Sequence, residues 1–132
     1  MKTPIGMPSI SPVLFYRDLR EATGWLESAF GFRERTADRV TDEQGVVQHA
    51  ELELGNGLII LSAPYDQFQV PATDSTHHQL LYVFVDHVDG HAVQAAECGA
   101  EITQAPSDTS YGARVYSVRD FQGYHWIFAQ QL

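Results

Sequence analysis

Apolar and polar positions change period along this chain, and the order of the changes occurs twice. Residues 10–17 (ISPVLFYR) are an apolar, strand-compatible run, in which Pro12 marks an edge or an early bend. Asp18 then stands as a helix cap with Glu21 three residues on, the spacing of a capping box. Ala22, Trp25, Leu26, Ala29 and Phe30 recur with the period of one helix face, and Gly31 follows where a left-handed cap ends a helix. Residues 32–38 predict a strand, 42–45 a turn and 46–54 an alternating strand. Gly55-Asn56-Gly57 is a hairpin signal, and 58–61 is a short, fully apolar strand.

Residues 63–77 are polar, contain Pro64 and Pro71, and read as a loop. The order then begins again. Residues 80–85 (LLYVFV) predict a strand, and Asp86 a helix cap with Asp89 as its acidic partner. Val88, Ala92, Ala95 and Ala96 predict the helix face, with Gly99 at its end. Residues 101–104 are strand-like, 105–112 a loop with Pro106, 113–118 a strand, 120–123 a turn and 124–129 a final strand. Asp18 and Asp86, Gly31 and Gly99, and Gly55 and Gly123 stand at one constant offset, so the punctuation of the two halves coincides without a gap.

The pattern predicts an α+β fold: one domain over residues 1–132 made of two tandem βαβββ units, about 9–62 and 78–130, joined by the loop 63–77. A curved mixed sheet with helices on one face leaves its other face partly apolar, as Val13 and Phe15 or Tyr82 and Phe84 suggest. Pairing two such units, within one chain or across two, would enclose a cavity. A symmetric homodimer is therefore expected.

The 132 residues carry 17 Asp and Glu against 8 Lys and Arg, a formal charge of −9. That sign opposes phosphate neutralisation, so neither nucleic acid nor an anionic membrane is an expected partner. It suits solubility, or a cationic ligand. No apolar run reaches the length of a membrane span or a signal peptide. Cys98, the single cysteine, excludes an intrachain disulfide and reads as a small core residue. A cytoplasmic setting is expected.

Residues 13–33 (VLFYRDLREATGWLESAFGFR) resemble the first strand and helix of the vicinal-oxygen-chelate family of glyoxalases, bleomycin-resistance proteins and ring-cleaving dioxygenases. Residues 111–129 (YGARVYSVRDFQGYHWIFA) resemble its C-terminal hairpin, with Asp120-Phe121-Gln122-Gly123 lacking the family's usual proline. Residues 49–61 (HAELELGNGLIIL) resemble the matching hairpin of the first half. The resemblance implies a divalent metal held by His, Glu or Gln from the first and last strand of each unit, chelating two adjacent substrate oxygens. It places those ligands on Ser11, Ile59, Ile127 and either Gln79 or Leu80. Such a set cannot hold a metal, so no metal and no cofactor are expected at the family positions.

Strand parity and the repeat instead nominate Glu51, Tyr82, Arg114, Tyr116 and His125 as the lining of one ligand cavity. Arg114 is read either as the holder of a carboxylate or phosphate or as a surface residue paired with acids. Phe15, Tyr82 and Phe84 suit stacking on a flat ligand as well as core packing, whereas Trp25 and Trp126 read as core. His77 and His78 point to opposite faces of any strand, and His87 and His91 read as solvated on the second helix. Two functions stay open at this point: a metal-free protein binding or sequestering an aromatic or cationic small molecule, and a metal-dependent lyase, isomerase or dioxygenase with a shifted set from His49, Glu51, His78 and His125.

Overall fold

A computed structural model of the chain describes residues 2–74 and 79–132, and divides them between two compact units, Met1–Val70 and Pro71–Leu132. His77 and His78 lie outside the described residues. No described helix is long and apolar enough to cross a membrane.

The first unit runs β1 (Val13–Phe15), α1 (Leu19–Phe30), β2 (Arg33–Glu34), a 3-10 turn (Thr36–Asp38), β3 (Val40–Thr41), β4 (Val47–Leu54) and β5 (Gly57–Ser62). Its sheet has the order β1-β5-β4-β2, with β3 also on β4; β1 and β5 are parallel and the remaining pairs antiparallel. The expected capping forms: an Asp18 carboxylate oxygen accepts from Glu21 N at 3.1 Å, and Gly31 closes the helix at φ +87°. Leu26, Ala29 and Phe30 are buried on the helix side, and each large apolar side chain so buried contributes about 1.5–3 kcal/mol. Trp25 is only half-buried, edge-on to Phe30. The strand expected over 32–38 lasts two residues before the chain winds into the 3-10 turn.

The second unit runs β6 (Leu81–Phe84), α2 (Val88–Glu97), β7 (Glu101–Asp108), β8 (Ala113–Arg119) and β9 (His125–Gln131), with sheet order β6-β9-β8-β7. β7 extends through much of the expected loop 105–112. It accommodates Pro106 because it is an edge strand whose register shifts between Gln104 and Ser107. Asp86 does not cap α2. The Val85 N–H still bonds Ala129 O at 2.8 Å, which prolongs strand contacts by one residue and puts His87 at the N-cap without a side-chain bond. The first helical N–H, on Val88, is instead taken by Gln130 Oε1 at 3.0 Å, a cap supplied from β9.

The two units do not match at one constant offset. Leu54 and Gly57 pair around the two residues Gly55-Asn56, whereas Arg119 and His125 pair around the longer loop 120–124. Corresponding parallel pairs on the sheet face away from the helix are Val13–Ile60 and Tyr82–Ile127. The first strand is thus displaced by one residue more than the glycine spacing, and the last strand by one fewer. The loop 120–124 is built around Asp120, whose carboxylate accepts from Gln122 N and Tyr124 N at 3.0 Å and from the indole of buried Trp126 at 3.1 Å. At Gly123, φ +98°, a Cβ would lie 2.5 Å from Thr73 O, so only glycine fits.

Candidate functional site

Directly paired residues in a sheet share a face, and successive residues alternate. In the second unit this sorts the sequence-nominated residues into two groups. Arg114 and Tyr116 project to the α2 side. Arg114 forks both of its terminal nitrogens and Nε onto carboxylates, Asp89 on α2 and Asp108 on β7, at 3.0 Å each. These bonds raise its pKa further above the ordinary guanidinium value and hold the Asp89 carboxyl below the usual carboxylate range. Its guanidinium is therefore committed within the unit, which is the surface-pair alternative rather than the anion-holding one. Tyr116 is fully buried, stacked on Phe128, and hydrogen-bonded through its hydroxyl to His91 Nδ1 at 2.5 Å. Burial pushes its phenol up. His91, expected to be solvated, instead lies over Phe128 at a ring separation of 4.2 Å.

Tyr82 and His125 project to the opposite, open face. There Tyr82 pairs with Ile127, and Phe84 pairs with Ala129, which in turn pairs with Val115. Ala113, Val115 and Ala129 form a buried apolar floor with Ile127 packed against it. Above this floor the aromatic rings are open: Tyr82 is 43% and Phe84 56% exposed, edge-to-face at 5.5 Å and 67°. Interaction with the Tyr111 side chain raises the Tyr82 pKa. His125 is half-buried at the end of the same face, cross-strand from Arg119. The expected single lining of Tyr82, Arg114, Tyr116 and His125 thus separates, because Arg114 and Tyr116 share a parity that β8 turns toward the helix. Phe84 and Tyr111 take their place on the open face; the alternation of residues 80–85 contained the signal for Phe84.

In the first unit Glu51 lies on the open face of its own sheet, in a row with Ile60 and Val13, and beside the row His49, Ser62 and Phe15. His49 Nε2 and Glu51 Oε2 meet at 2.8 Å, both partly buried. Phe15 is covered from within the unit: Phe68 stacks on it at 5.6 Å and 8°, and Tyr65 tilts against it at 6.1 Å. The residues around the Tyr65–Phe68 bridge carried no signal beyond loop composition.

The metal-ligand positions implied by the resemblance do not fit a divalent ion. The Ser11 hydroxyl is buried with no hydrogen-bond partner among the described residues, a single weak ligand. Ile59 proves to be on the helix face, paired with Leu52, so the first unit's counterpart of Ile127 is Ile60. Correcting the offset thus exchanges one hydrocarbon side chain for another. On the first strand of the second unit, the count from the helix cap falls on Leu80. Among the described residues no group of three His, Cys, Asp or Glu could hold a metal.

The family model described as Glyoxalase/Bleomycin resistance protein/Dioxygenase superfamily matches residues 9–128. Among solved structures, TioX from Micromonospora sp. ML1 is 31% identical, with a TM-score of 0.73 over 94% of this chain and 100% of that one. A glyoxalase/bleomycin resistance protein/dioxygenase family enzyme from Burkholderia phytofirmans PsJN is 21% identical, with a TM-score of 0.71 over 91% of this chain and 95% of that one. The fosfomycin resistance protein FosX from Listeria monocytogenes is 14% identical, with a TM-score of 0.66 over 96% of this chain and 93% of that one. The last two share the fold alone. No curated protein matches the chain by sequence.

Proposed function

Because the chain belongs to the glyoxalase/bleomycin resistance protein/dioxygenase superfamily, we propose that it is a small-molecule-binding member, holding a flat aromatic ligand against the open face of its second sheet without a catalytic metal. The observation that carries this reading is the pairing of exposed Tyr82 and Phe84 with a buried floor of Ala113, Val115, Ala129 and Ile127. A monomeric soluble surface rarely leaves aromatic side chains open over an apolar floor unless something covers them. The fosfomycin resistance of FosX is not carried over, since that likeness reaches only the fold. A cytoplasmic homodimer is part of the proposal, supported by the single cysteine and by the exposed apolar residues of β1 and β6.

The test is titration with indole and benzimidazole, followed by methyl and amide NMR. Shifts should concentrate on Val115, Ile127 and Ala129. Tyr82→Ala and Phe84→Ala should each weaken binding about three- to tenfold, the scale of one aromatic pair. Shifts confined to the helix side, or no binding, would remove the reading. Zinc, nickel, manganese and iron(II) should show no tight stoichiometric binding; an ion lost on His125→Ala would favour the shifted-site enzyme instead. Light scattering at micromolar concentration reads the dimer.

A further inference from the structure

A cavity of about 240 Å³ opens where β6 and β9 end, walled by Phe84, Val85, Asp86, Gln130 and Gln131. Its walls are chemically unlike the apolar floor beside it. Phe84 presents a ring that is 56% exposed. Asp86 is exposed, and among the described residues its carboxylate has neither an ion-pair nor a hydrogen-bond partner, since α2 begins one residue later than an Asp86 cap requires. The Gln130 carboxamide is fixed in place by its bond to Val88 N. Gln131 donates through Nε2 to Gly112 O and Leu132 O, which leaves its Oε1 as an acceptor.

The net charge around the cavity is negative. Arg114 sits cross-strand from Gln130, but its guanidinium is shared between Asp89 and Asp108. Those three groups together are net negative, so nothing in them offsets Asp86. An aromatic face, an uncompensated carboxylate and an amide acceptor around one recess form a set that favours a cation and disfavours an anion. We propose that this cavity seats an alkylammonium or quaternary ammonium group, the charged end of a ligand whose aromatic part lies on the adjoining floor. The inference rests on the aromatic-binding reading above and adds a sign of charge and a position to it.

Two probes separate the inferences on the full-length chain: benzyltrimethylammonium and neutral benzyl alcohol, each followed by backbone amide NMR. The cationic probe should bind at least about fivefold more tightly at low salt, the scale of an exposed cation–π contact. Its shifts should extend to Phe84, Val85, Asp86, Gln130 and Gln131, and its advantage should shrink as sodium chloride is added. Asp86→Asn should cut the cationic probe's advantage, leaving the part supplied by the Phe84 ring, without changing benzyl alcohol binding. Equal affinities in the parent protein, or a preference unchanged by Asp86→Asn, would overturn the ammonium seat and leave the aromatic face standing. Absence of shifts for both probes would overturn both.

Discussion

The two faces of the second sheet are made by the same three strands, β6, β9 and β8, yet they are finished differently. On the α2 side every large group has a partner: Tyr116 has His91 and Phe128, Arg114 has Asp89 and Asp108, and Gln130 caps the helix. On the open side the floor is buried but Tyr82 and Phe84 are left exposed. The first unit offers a milder contrast, since Phe68 and Tyr65 from its own chain already cover Phe15. A face whose groups are all satisfied holds the fold together. A face that keeps exposed rings beside a buried apolar floor has surface left for a ligand.

The largest expected effect tests that division directly. Phe128→Ala, which empties a fully buried site on the helix side, should cost about 3–5 kcal/mol in urea unfolding. Phe84→Ala, its neighbour on the open side, should stay within about 1 kcal/mol. Similar losses for both would break the distinction between the faces. The cap comes next. Gln130→Ala leaves the Val88 N–H without its partner and should cost about 1–3 kcal/mol. Asp86→Ala should lie within about 0.5 kcal/mol, since Asp86 caps nothing. A larger loss at Asp86 than at Gln130 would restore the sequence-based cap.

The smallest effect is electrostatic. The hydrogen bonds from Arg114 hold the Asp89 carboxyl below its usual range. A carboxyl lowered in the folded state contributes stability that is fully present above its unfolded value, about 3.9, and is lost as pH falls through the folded value. The stability difference between the parent and Asp89→Asn should therefore be steady at neutral pH and close as the pH drops below about 4. Added salt should reduce it, because the pair is exposed. A difference independent of pH would show that Asp89 acts by packing instead.

Much of the fold was legible because its signals are local. The helix face around Leu26 and Phe30, the Asp18 cap, the Gly31 stop and the hairpin at Gly55-Asn56 each depend on residues a few positions apart, and each forms as read. The failures are equally informative. Gly123 shares its offset with Gly55 but closes a longer loop, so a match of glycines was not a match of register. Glu51, Tyr82, Arg114, Tyr116 and His125 were read as one lining; within the second unit Tyr82 and His125 project to the open face and Arg114 and Tyr116 to the α2 side, while Glu51 lies on the sheet of the first unit.

The sequence by itself determined the order of the main elements, the buried stripe of α1 and the alternation within the longer strands; on α2 it placed Val88, Ala92 and Ala95 but not the exposed Ala96 or the packed His91. What it did place follows from the fixed geometry of a single helix or strand. Tertiary structure alone decided which parity of β8 meets the helix, that Gln130 rather than Asp86 caps α2, and that Arg114 is occupied by Asp89 and Asp108. The reason is the two-residue period of a strand. Alternation states that neighbours differ but not which of them faces inward, and one residue in a distant loop exchanges the answer for the whole strand.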